Sequence, residues 1–152
     1  MPRLVVGATA PNFSLKNQDG REVSSDSLRI ERYVLYFYPA DDTPGCTVEA
    51  CEFRDNLAAF ASKDAVVVGV SPDKPGAQAK FKEKFALPFT LLADEEKAAA
   101  QAYGVWQEKN MYGKKTMGIV RSTFVIAPDG TIEKIYSKVT AKGHAGEVLA
   151  AL

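Results

Sequence analysis

Three short runs of β-branched and aromatic residues constrain the fold of this chain more than any other feature of its sequence. The runs cover residues 33–38 (YVLYFY), 65–70 (AVVVGV) and 123–127 (TFVIA). None of them alternates between apolar and polar side chains, and such runs are typical of strands that are buried on both faces of a sheet. They therefore predict the central strands of a sheet.

Helical patterns lie between these runs, at residues 47–61, 77–85 and 95–103, with Asp94 as the N-cap of the last. A closing helix over 144–152 places its apolar residues on one face. Strands that alternate with helices along the chain predict an α/β fold.

Two tight turns add antiparallel strands to this sheet. An Asp-Gly turn within the weakly alternating segment 12–24 predicts an N-terminal β-hairpin. A Pro-Asp-Gly turn at 128–130 separates residues 124–126 from the alternating segment 132–136, which predicts an antiparallel pair. The sequence therefore predicts a central mixed sheet that is flanked by helices.

The length and composition predict one domain and exclude several classes of partner. The 152 residues are enough to bury roughly 70% of the unfolded surface, and no linker or repeat interrupts them, so residues 1–152 are predicted to form a single domain. The 19 basic residues are interleaved with 19 acidic ones, which disfavours a nucleic-acid partner. No apolar stretch reaches the ~18 residues of a membrane span, and the N-terminal segment is unlike a secretory leader. We therefore expect a cytoplasmic protein.

The two cysteines, Cys46 and Cys51, are too few for a disulfide scaffold, and such a close pair indicates reversible chemistry in a reducing compartment. Residues 36–51 comprise a buried strand, a loop rich in Pro and Gly, and the start of a helix. Sites in open α/β sheets gather at the carboxyl ends of strands. Cys46 falls in the first turn of the helix, where free N–H groups and the helix dipole favour a thiolate over a thiol. Cys46 is therefore predicted to be a reactive thiol.

The segment around Cys46 resembles the active-site pattern of peroxiredoxins. Pro39, Thr43 and Cys46 have the spacing of that pattern, and residues 43–51 (TPGCTVEAC) are similar to the bacterioferritin comigratory protein or Q-type subfamily. Four other segments also resemble the family: 10–13, 69–71, 103–106 and 121–124. The resemblance implies a thioredoxin-like fold with an N-terminal β-hairpin, reduction of hydrogen peroxide and organic hydroperoxides, and recycling by thioredoxin.

The resemblance also implies roles for both cysteines. Cys46 would attack the nearer peroxide oxygen and become a sulfenic acid. Cys51 would then resolve this sulfenic acid as an intramolecular disulfide. The N–H groups of Gly45 and Cys46 would donate to the charge that develops on the leaving oxygen.

Four further residues receive roles from the same resemblance. Thr43 would bind the peroxide through its hydroxyl, and Arg121 would stabilise the thiolate and the transition state. Pro39 would shield Cys46 from bulk water. Glu49, one helical turn beyond Cys46, would orient the guanidinium of Arg121.

Each of these residues also has an ordinary structural interpretation. Cys51 fits a core-filling role as well as it fits a resolving role. Thr43 could serve only as an N-cap, Pro39 only as a loop residue, and Arg121 only as a surface charge before a strand. Their occurrence together in one pattern favours the site.

No metal and no cofactor are expected. One histidine and two cysteines supply at most three ligands at long separation, and His144 is predicted to be an exposed residue at a helix start. The aromatic residues Phe53, Tyr103 and Trp106 are predicted to be core or pocket wall, because no Gly-rich phosphate loop accompanies them.

Two competing functions share the reactive thiol. A thiol-disulfide oxidoreductase normally uses Cys-x-x-Cys, whereas four residues separate Cys46 from Cys51. A non-enzymatic redox sensor or holdase, switched by oxidation of Cys46, shares the first chemical step with a peroxidase. Resolution within one chain is compatible with a monomer, which is the expected state.

Overall fold

The computed structural model describes residues 4–152. Residues 1–3 lie outside this range, and they include the start of the N-terminal segment that was compared with a secretory leader. The assignment of residues 1–152 to a single domain stays a prediction. The strands described are β1 (Ser14–Asn17), β2 (Glu22–Ser24), β3 (Arg32–Phe37), β4 (Ala65–Ser71), β5 (Thr90–Ala93), β6 (Trp106–Met111), β7 (Lys114–Ile119), β8 (Ser122–Ile126) and β9 (Ile132–Tyr136). The helices described are α1 (Ser25–Leu28), α2 (Pro44–Asp55), α3 (Leu57–Ser62), α4 (Pro75–Lys84), α5 (Ala98–Ala102) and α6 (His144–Ala150).

Seven strands form one mixed sheet in the order β2-β1-β5-β4-β3-β8-β9. The pairs β3–β4 and β4–β5 are parallel, whereas β3–β8, β8–β9, β1–β5 and β1–β2 are antiparallel. The predicted mixed sheet, N-terminal hairpin and β8–β9 pair are therefore confirmed. The strands β6 and β7 form a separate antiparallel hairpin, which the sequence analysis did not predict.

Residues 33–37 of the central strand β3 carry no charged side chain because both faces of the strand are covered. Val34 and Tyr36 point into a core cluster that includes buried residues of α2, α3, α4 and α6. Tyr33, Leu35 and Phe37 point into a second cluster on the opposite face, which includes residues of α5 and β8. Successive side chains of a strand alternate between faces, so a strand with two covered faces shows no polar alternation.

The predicted core aromatic residues pack as expected. Phe53 is fully buried and stacks on Tyr36, with ring centroids 4.7 Å apart. Tyr103 is buried and packs against Phe124 with centroids 5.0 Å apart. Trp106 is partly buried at the edge of the second cluster.

The helix predicted at residues 47–61 is two helices in the structure. The first, α2, ends at Asp55, and α3 begins at Leu57. The side-chain amide of Asn56 donates to the carbonyl of Glu52 at 2.8 Å. This side chain bonds to a carbonyl of the last turn of α2, so Asn56 marks a break in an otherwise helical sequence.

The helix predicted at residues 95–103 begins three residues later, at Ala98. Lys97 has a φ of +58°, a left-handed conformation that cannot belong to a right-handed helix. Lys97 is therefore the N-cap residue, and Asp94 caps the helix only through its side chain. Its carboxylate accepts hydrogen bonds from the N–H groups of Ala99 (3.1 Å) and Ala100 (2.8 Å).

The prediction that His144 is exposed is wrong, although α6 begins at this residue. Its exposed fraction is 2%. The hydroxyl of Thr123 lies 2.7 Å from Nε2, and the carboxylate of Glu147 lies 3.1 Å from Nδ1, so both ring nitrogens have polar partners. Burial lowers the pKa of His144 below its usual value, which favours the neutral ring.

Candidate active site

The predicted site residues lie at the carboxyl end of β3. The chain leaves this strand at Phe37 and passes through the loop 39–43 into α2. Strand β8 runs antiparallel to β3 and pairs Ser122 with Phe37. Arg121 directly precedes Ser122, so the pairing brings Arg121 to the end of β3 where α2 begins. A position that is 75 residues from Cys46 in sequence thereby reaches the same edge of the sheet.

The start of α2 leaves backbone donors free near Cys46. Pro44 occupies the first turn, where it needs no N–H partner. The first backbone hydrogen bond of the helix runs from Thr47 N to Thr43 O, at 2.8 Å. The N–H groups of Gly45 and Cys46 precede this bond and have no acceptor within the helix. They are therefore available to an anion or a polar ligand.

Thr43 occupies the N-cap position of α2, but its side chain does not cap the helix. Its hydroxyl donates instead to the carbonyl of Ala40 within the loop, at 2.9 Å. The interpretation of this side chain as an N-cap is therefore wrong. Because the hydroxyl hydrogen is engaged in the loop, the oxygen of Thr43 is left as an acceptor.

Cys46 is a free thiol whose side chain is almost fully buried, with 1% exposed. The guanidinium of Arg121 donates from Nη2 to its sulfur at 3.2 Å. A Cβ atom at Gly45 would lie 3.2 Å from the same Nη2, so the absence of a side chain there gives the guanidinium its room. The arginine is therefore held against the first turn of α2.

Glu49 lies one turn beyond Cys46 and binds the other side of the same guanidinium. Its Oε1 accepts from Nη1 of Arg121 at 2.6 Å, and the carboxylate is fully buried. Burial raises the pKa of Glu49 to about 7, although Arg121 opposes this increase. Burial alone would lower the pKa of Arg121, but Glu49 and Cys46 outweigh it and raise this pKa.

Cys51 and Pro39 have a looser relation to the reactive thiol. Both are half-buried. Cys51 lies on α2 with Cys46, and five helical residues correspond to about 7.5 Å along the axis and roughly 140° around it. The structure thus brings together Cys46, Arg121 and Glu49, and it points Cys51 away from them.

Two polar residues beside this centre were not predicted from the sequence. Tyr38 follows β3, is fully buried and donates from its hydroxyl to Asp41 at 2.6 Å. Asp41 lies in the loop between Pro39 and Thr43. Only their position within the segment that carries the motif could have indicated these two residues.

Within residues 4–152, no three His, Cys, Asp or Glu side chains are grouped to bind a metal ion. No helix in the same range has the length and apolar character that a bilayer span requires.

The mixed sheet, with a buried free thiol at the start of the helix after its central strand and an arginine against the sulfur, defines a thioredoxin-like peroxiredoxin. The chain belongs to the AhpC/TSA family, whose family model matches residues 6–135.

Relatives that match almost the whole chain identify its subfamily within that family. Peroxiredoxin Bcp of Bacillus subtilis is 48% identical over 97% of this chain and 94% of its own length. Peroxiredoxin Bcp of Escherichia coli is 42% identical over 98% of this chain and 96% of its own. The resemblance to the bacterioferritin comigratory protein or Q-type subfamily is thereby confirmed, and these relatives support a thiol peroxidase.

A solved structure of the Xanthomonas campestris bacterioferritin comigratory protein has a similar fold. It superposes with a TM-score of 0.87 at 38% identity, over 91% of this chain and 88% of that one. That protein has an alkyl peroxide reduction activity. The predicted thioredoxin-like fold is confirmed.

Proposed function

We propose that the protein reduces hydroperoxides through Cys46. The thiolate attacks the nearer peroxide oxygen, the O–O bond breaks, and Cys46 becomes a sulfenic acid. The other oxygen leaves with the bonding electron pair and takes up a proton to give water or an alcohol. The observation that carries this proposal is the 3.2 Å contact of Arg121 Nη2 with the buried sulfur of Cys46.

The surroundings of the sulfur supply donors for the charge that moves during this step. Arg121 stabilises the thiolate and then the leaving oxygen, while Glu49 fixes the plane of its guanidinium. The free N–H groups of Gly45 and Cys46 add two more donors. The oxygen of Thr43 accepts the hydroxyl hydrogen of the peroxide and so orients it, because its own hydrogen is already given to Ala40.

Pro39 limits access of water to the centre. It is half-buried at the beginning of the loop that leads to Cys46. Its ring cannot donate a hydrogen bond, so it offers water no N–H group there.

Resolution uses Cys51. Its sulfur attacks the sulfenic sulfur, the S–S bond forms and the hydroxyl leaves as water. Thioredoxin then reduces the disulfide with two electrons. Organic hydroperoxides are included among the substrates because the X. campestris relative is described for alkyl peroxide reduction. The resolving thiol is in the same chain, so the protein works as a monomer, and dependence on thioredoxin fits the cytoplasm.

Stopped-flow and steady-state measurements test the function. With thioredoxin, thioredoxin reductase and NADPH present, we expect many equivalents of hydroperoxide to be reduced per protein. Cys46→Ser is expected to abolish turnover, because a serine hydroxyl stays protonated near neutral pH and is a much weaker nucleophile. A single stoichiometric oxidation of the wild-type protein would instead indicate a redox sensor or holdase, and turnover by Cys46→Ser would remove Cys46 from the mechanism.

A further inference from the structure

Two carboxyl groups meet where the loop 39–43 contacts the loop after β4. The backbone N–H of Asp41 donates to Oδ2 of Asp73 at 2.8 Å. The carboxyl group of Asp73 also contributes, by its charge and by a side-chain hydrogen bond, to raising the pKa of Asp41. The contact ties the loop that carries Pro39 and Thr43 to the neighbouring parallel strand.

Buried polar side chains hold both carboxyl groups in place. Tyr38 donates to Oδ1 of Asp41 at 2.6 Å, and Ser71 donates to Oδ2 of Asp73 at 2.8 Å. The amide of Gln78 donates to the hydroxyl of Ser71 at 3.0 Å. The exposed fractions of Tyr38, Ser71 and Gln78 are all 2% or less, so this hydrogen-bonded chain is part of the core.

Two oxygens in this chain lack a donor among the described residues, Oε1 of Gln78 and Oδ2 of Asp41, and only the second belongs to a carboxyl group. Oδ2 of Asp41 is buried, and none of the described residues donates a hydrogen bond to it. A buried carboxylate oxygen without a donor is costly, and a second carboxylate beside it adds repulsion. One proton on the pair removes both costs, because a protonated Asp41 donates from Oδ2 to Asp73.

We propose that Asp41 and Asp73 share one proton, and that this pair positions the loop 39–43, and with it Thr43, for the reaction at Cys46. The role of the loop in the reaction rests on the proposed function, whereas the shared proton does not. Asp41 is therefore a positioning residue, which acts through Thr43 and touches no reacting atom.

The electrostatic surroundings of Asp41 agree with a shared proton near neutral pH. Burial raises the pKa of Asp41 to about 7, the hydrogen bond from Tyr38 opposes the increase, and Asp73 adds to it. Asp42 is the next acid in the loop, and Lys84 binds it at the surface at 2.8 Å. Burial raises the pKa of Tyr36 well above its usual value, and Asp41 also acts on this pKa, together with Glu49, Cys46 and Arg121.

This arrangement makes the tie between the two loops dependent on pH. Folding raises the pKa of Asp41, so the contribution of the pair to stability is fully present below about pH 4 and is lost as the pH rises through about 7. Above that pH, two carboxylates face each other and the loop is held less firmly.

Three substitutions separate the proton from the shape of the side chain. Asp41→Asn copies the protonated state at every pH, because its amide donates to Asp73 and its oxygen still accepts from Tyr38. Asp41→Ala removes both bonds. Asp42→Asn is the matched control, since it removes a carboxylate from the same loop and leaves the pair intact.

Urea unfolding between pH 5 and pH 8 tests the shared proton without reference to any activity. The midpoint of wild-type protein is expected to fall relative to that of Asp41→Asn as the pH rises, and Asp42→Asn should follow wild type. A difference between wild type and Asp41→Asn that stays constant with pH overturns the proposal. Glu49 is present in wild type, Asp41→Asn and Asp42→Asn, and burial raises its pKa to about 7. Its contribution to the pH dependence of stability therefore cancels when these three proteins are compared.

Rapid-quench alkylation of Cys46 after mixing with hydroperoxide at pH 8 tests the positioning role. Asp41→Asn is expected to react at least as fast as wild type, and Asp41→Ala about tenfold to 100-fold more slowly, as misplaced groups typically do. Equal rates for Asp41→Asn and Asp41→Ala, whether slow or fast, overturn this role. If reduced wild-type protein is not oxidised at all, the proposed function fails, while the urea experiment still decides on the shared proton.

Discussion

Glu49 is fully buried, and Arg121 donates to its Oε1 at 2.6 Å while its Oε2 has no donor among the described residues. The carboxylate is thus held by one cation in surroundings that otherwise disfavour charge. Burial accordingly raises its pKa to about 7 in spite of the arginine. This carboxyl therefore changes charge near neutral pH.

Glu49→Gln is expected to remove a pH dependence of stability. Because the pKa rises from 4.5 in the unfolded chain to about 7 on folding, wild-type protein binds more protons when folded between these pH values. Its free energy of unfolding should therefore fall relative to that of Glu49→Gln from about pH 4.5 to about pH 7, by on the order of 3 kcal/mol. Urea unfolding at several pH values measures this, with Glu52→Gln on the same helix as the control; parallel curves for wild type and Glu49→Gln would contradict it.

Arg121→Ala is expected to slow the oxidation of Cys46 by hydroperoxide by on the order of two decades or more, because the sulfur and the leaving oxygen lose a charged donor. Arg121→Lys should recover part of this loss, since it restores the charge without the planar pair of donors. Stopped-flow oxidation of the reduced proteins gives these rates.

The controls for this prediction separate chemistry from folding. Arg32→Ala removes an arginine that pairs with Glu133 at the opposite end of β3, and it should react like wild type. The double substitution of Arg121 by Ala and Glu49 by Gln removes the unpaired buried carboxylate that Arg121→Ala alone would leave. A wild-type rate in a folded Arg121→Ala protein would give the arginine a purely structural role.

The sequence predicted the sheet because its central strands carry the strongest signal. Strands β3, β4 and β8 are apolar on both faces, and the Asp-Gly and Pro-Asp-Gly turns mark the antiparallel additions. The hairpin of β6 and β7 was missed because most of its described residues are exposed, so burial imposes no apolar alternation on them. Strand β5 was missed because its four residues give too short a run to distinguish from a loop.

Spacing alone made the site predictable only where its residues lie close together in the sequence, whereas Arg121 was predicted through the family resemblance. Thr43, Cys46 and Glu49 belong to one loop and helix, so their spacing is informative. The ion pair of Arg121 with Glu49 depends on the antiparallel register of β8 on β3, and spacing does not contain that register. The burial of His144 depends likewise on Thr123 of a distant strand.

Cys51→Ser is expected to leave the first oxidation of Cys46 intact and to stop the thioredoxin cycle. Without a partner thiol, the sulfenic acid persists, and excess peroxide converts it to sulfinic acid. Mass spectrometry should therefore find two added oxygens on Cys46 in this variant and a disulfide in wild type. Full thioredoxin-linked turnover by Cys51→Ser, with no trapped or overoxidised Cys46, would show that Cys51 does not resolve the reaction.

The positions of Cys46 and Cys51 on one helix require α2 to unwind before a disulfide can form. Both residues lie within Pro44–Asp55, separated by about 7.5 Å along the axis and roughly 140° around it. A disulfide needs Cα atoms about 4.4 to 6.8 Å apart with converging Cβ atoms. The intact helix therefore cannot hold a disulfide between Cys46 and Cys51.

Contacts along α2 indicate what this unwinding disturbs. Glu52 accepts a hydrogen bond from the N–H of Gly143 at 2.8 Å, and the ring of Phe53 packs edge-on against His144. These contacts join the second half of α2 to the start of α6. Under the proposed function, we expect the helix to open after sulfenic acid formation, which would loosen these contacts and expose the disulfide to its reductant.

Hydrogen exchange on the reduced and the oxidised protein is expected to show this opening. The amides of residues 49–57 should lose protection when the disulfide forms and regain it on reduction, because their helical hydrogen bonds break only in the oxidised state. The amides of β4, a central strand with no part in the rearrangement, are the internal control and should stay equally protected in both states. Mass spectrometry must confirm the bond between Cys46 and Cys51 in the oxidised sample. With that bond present, equal protection of residues 49–57 in both states would show that the disulfide forms without unwinding of α2.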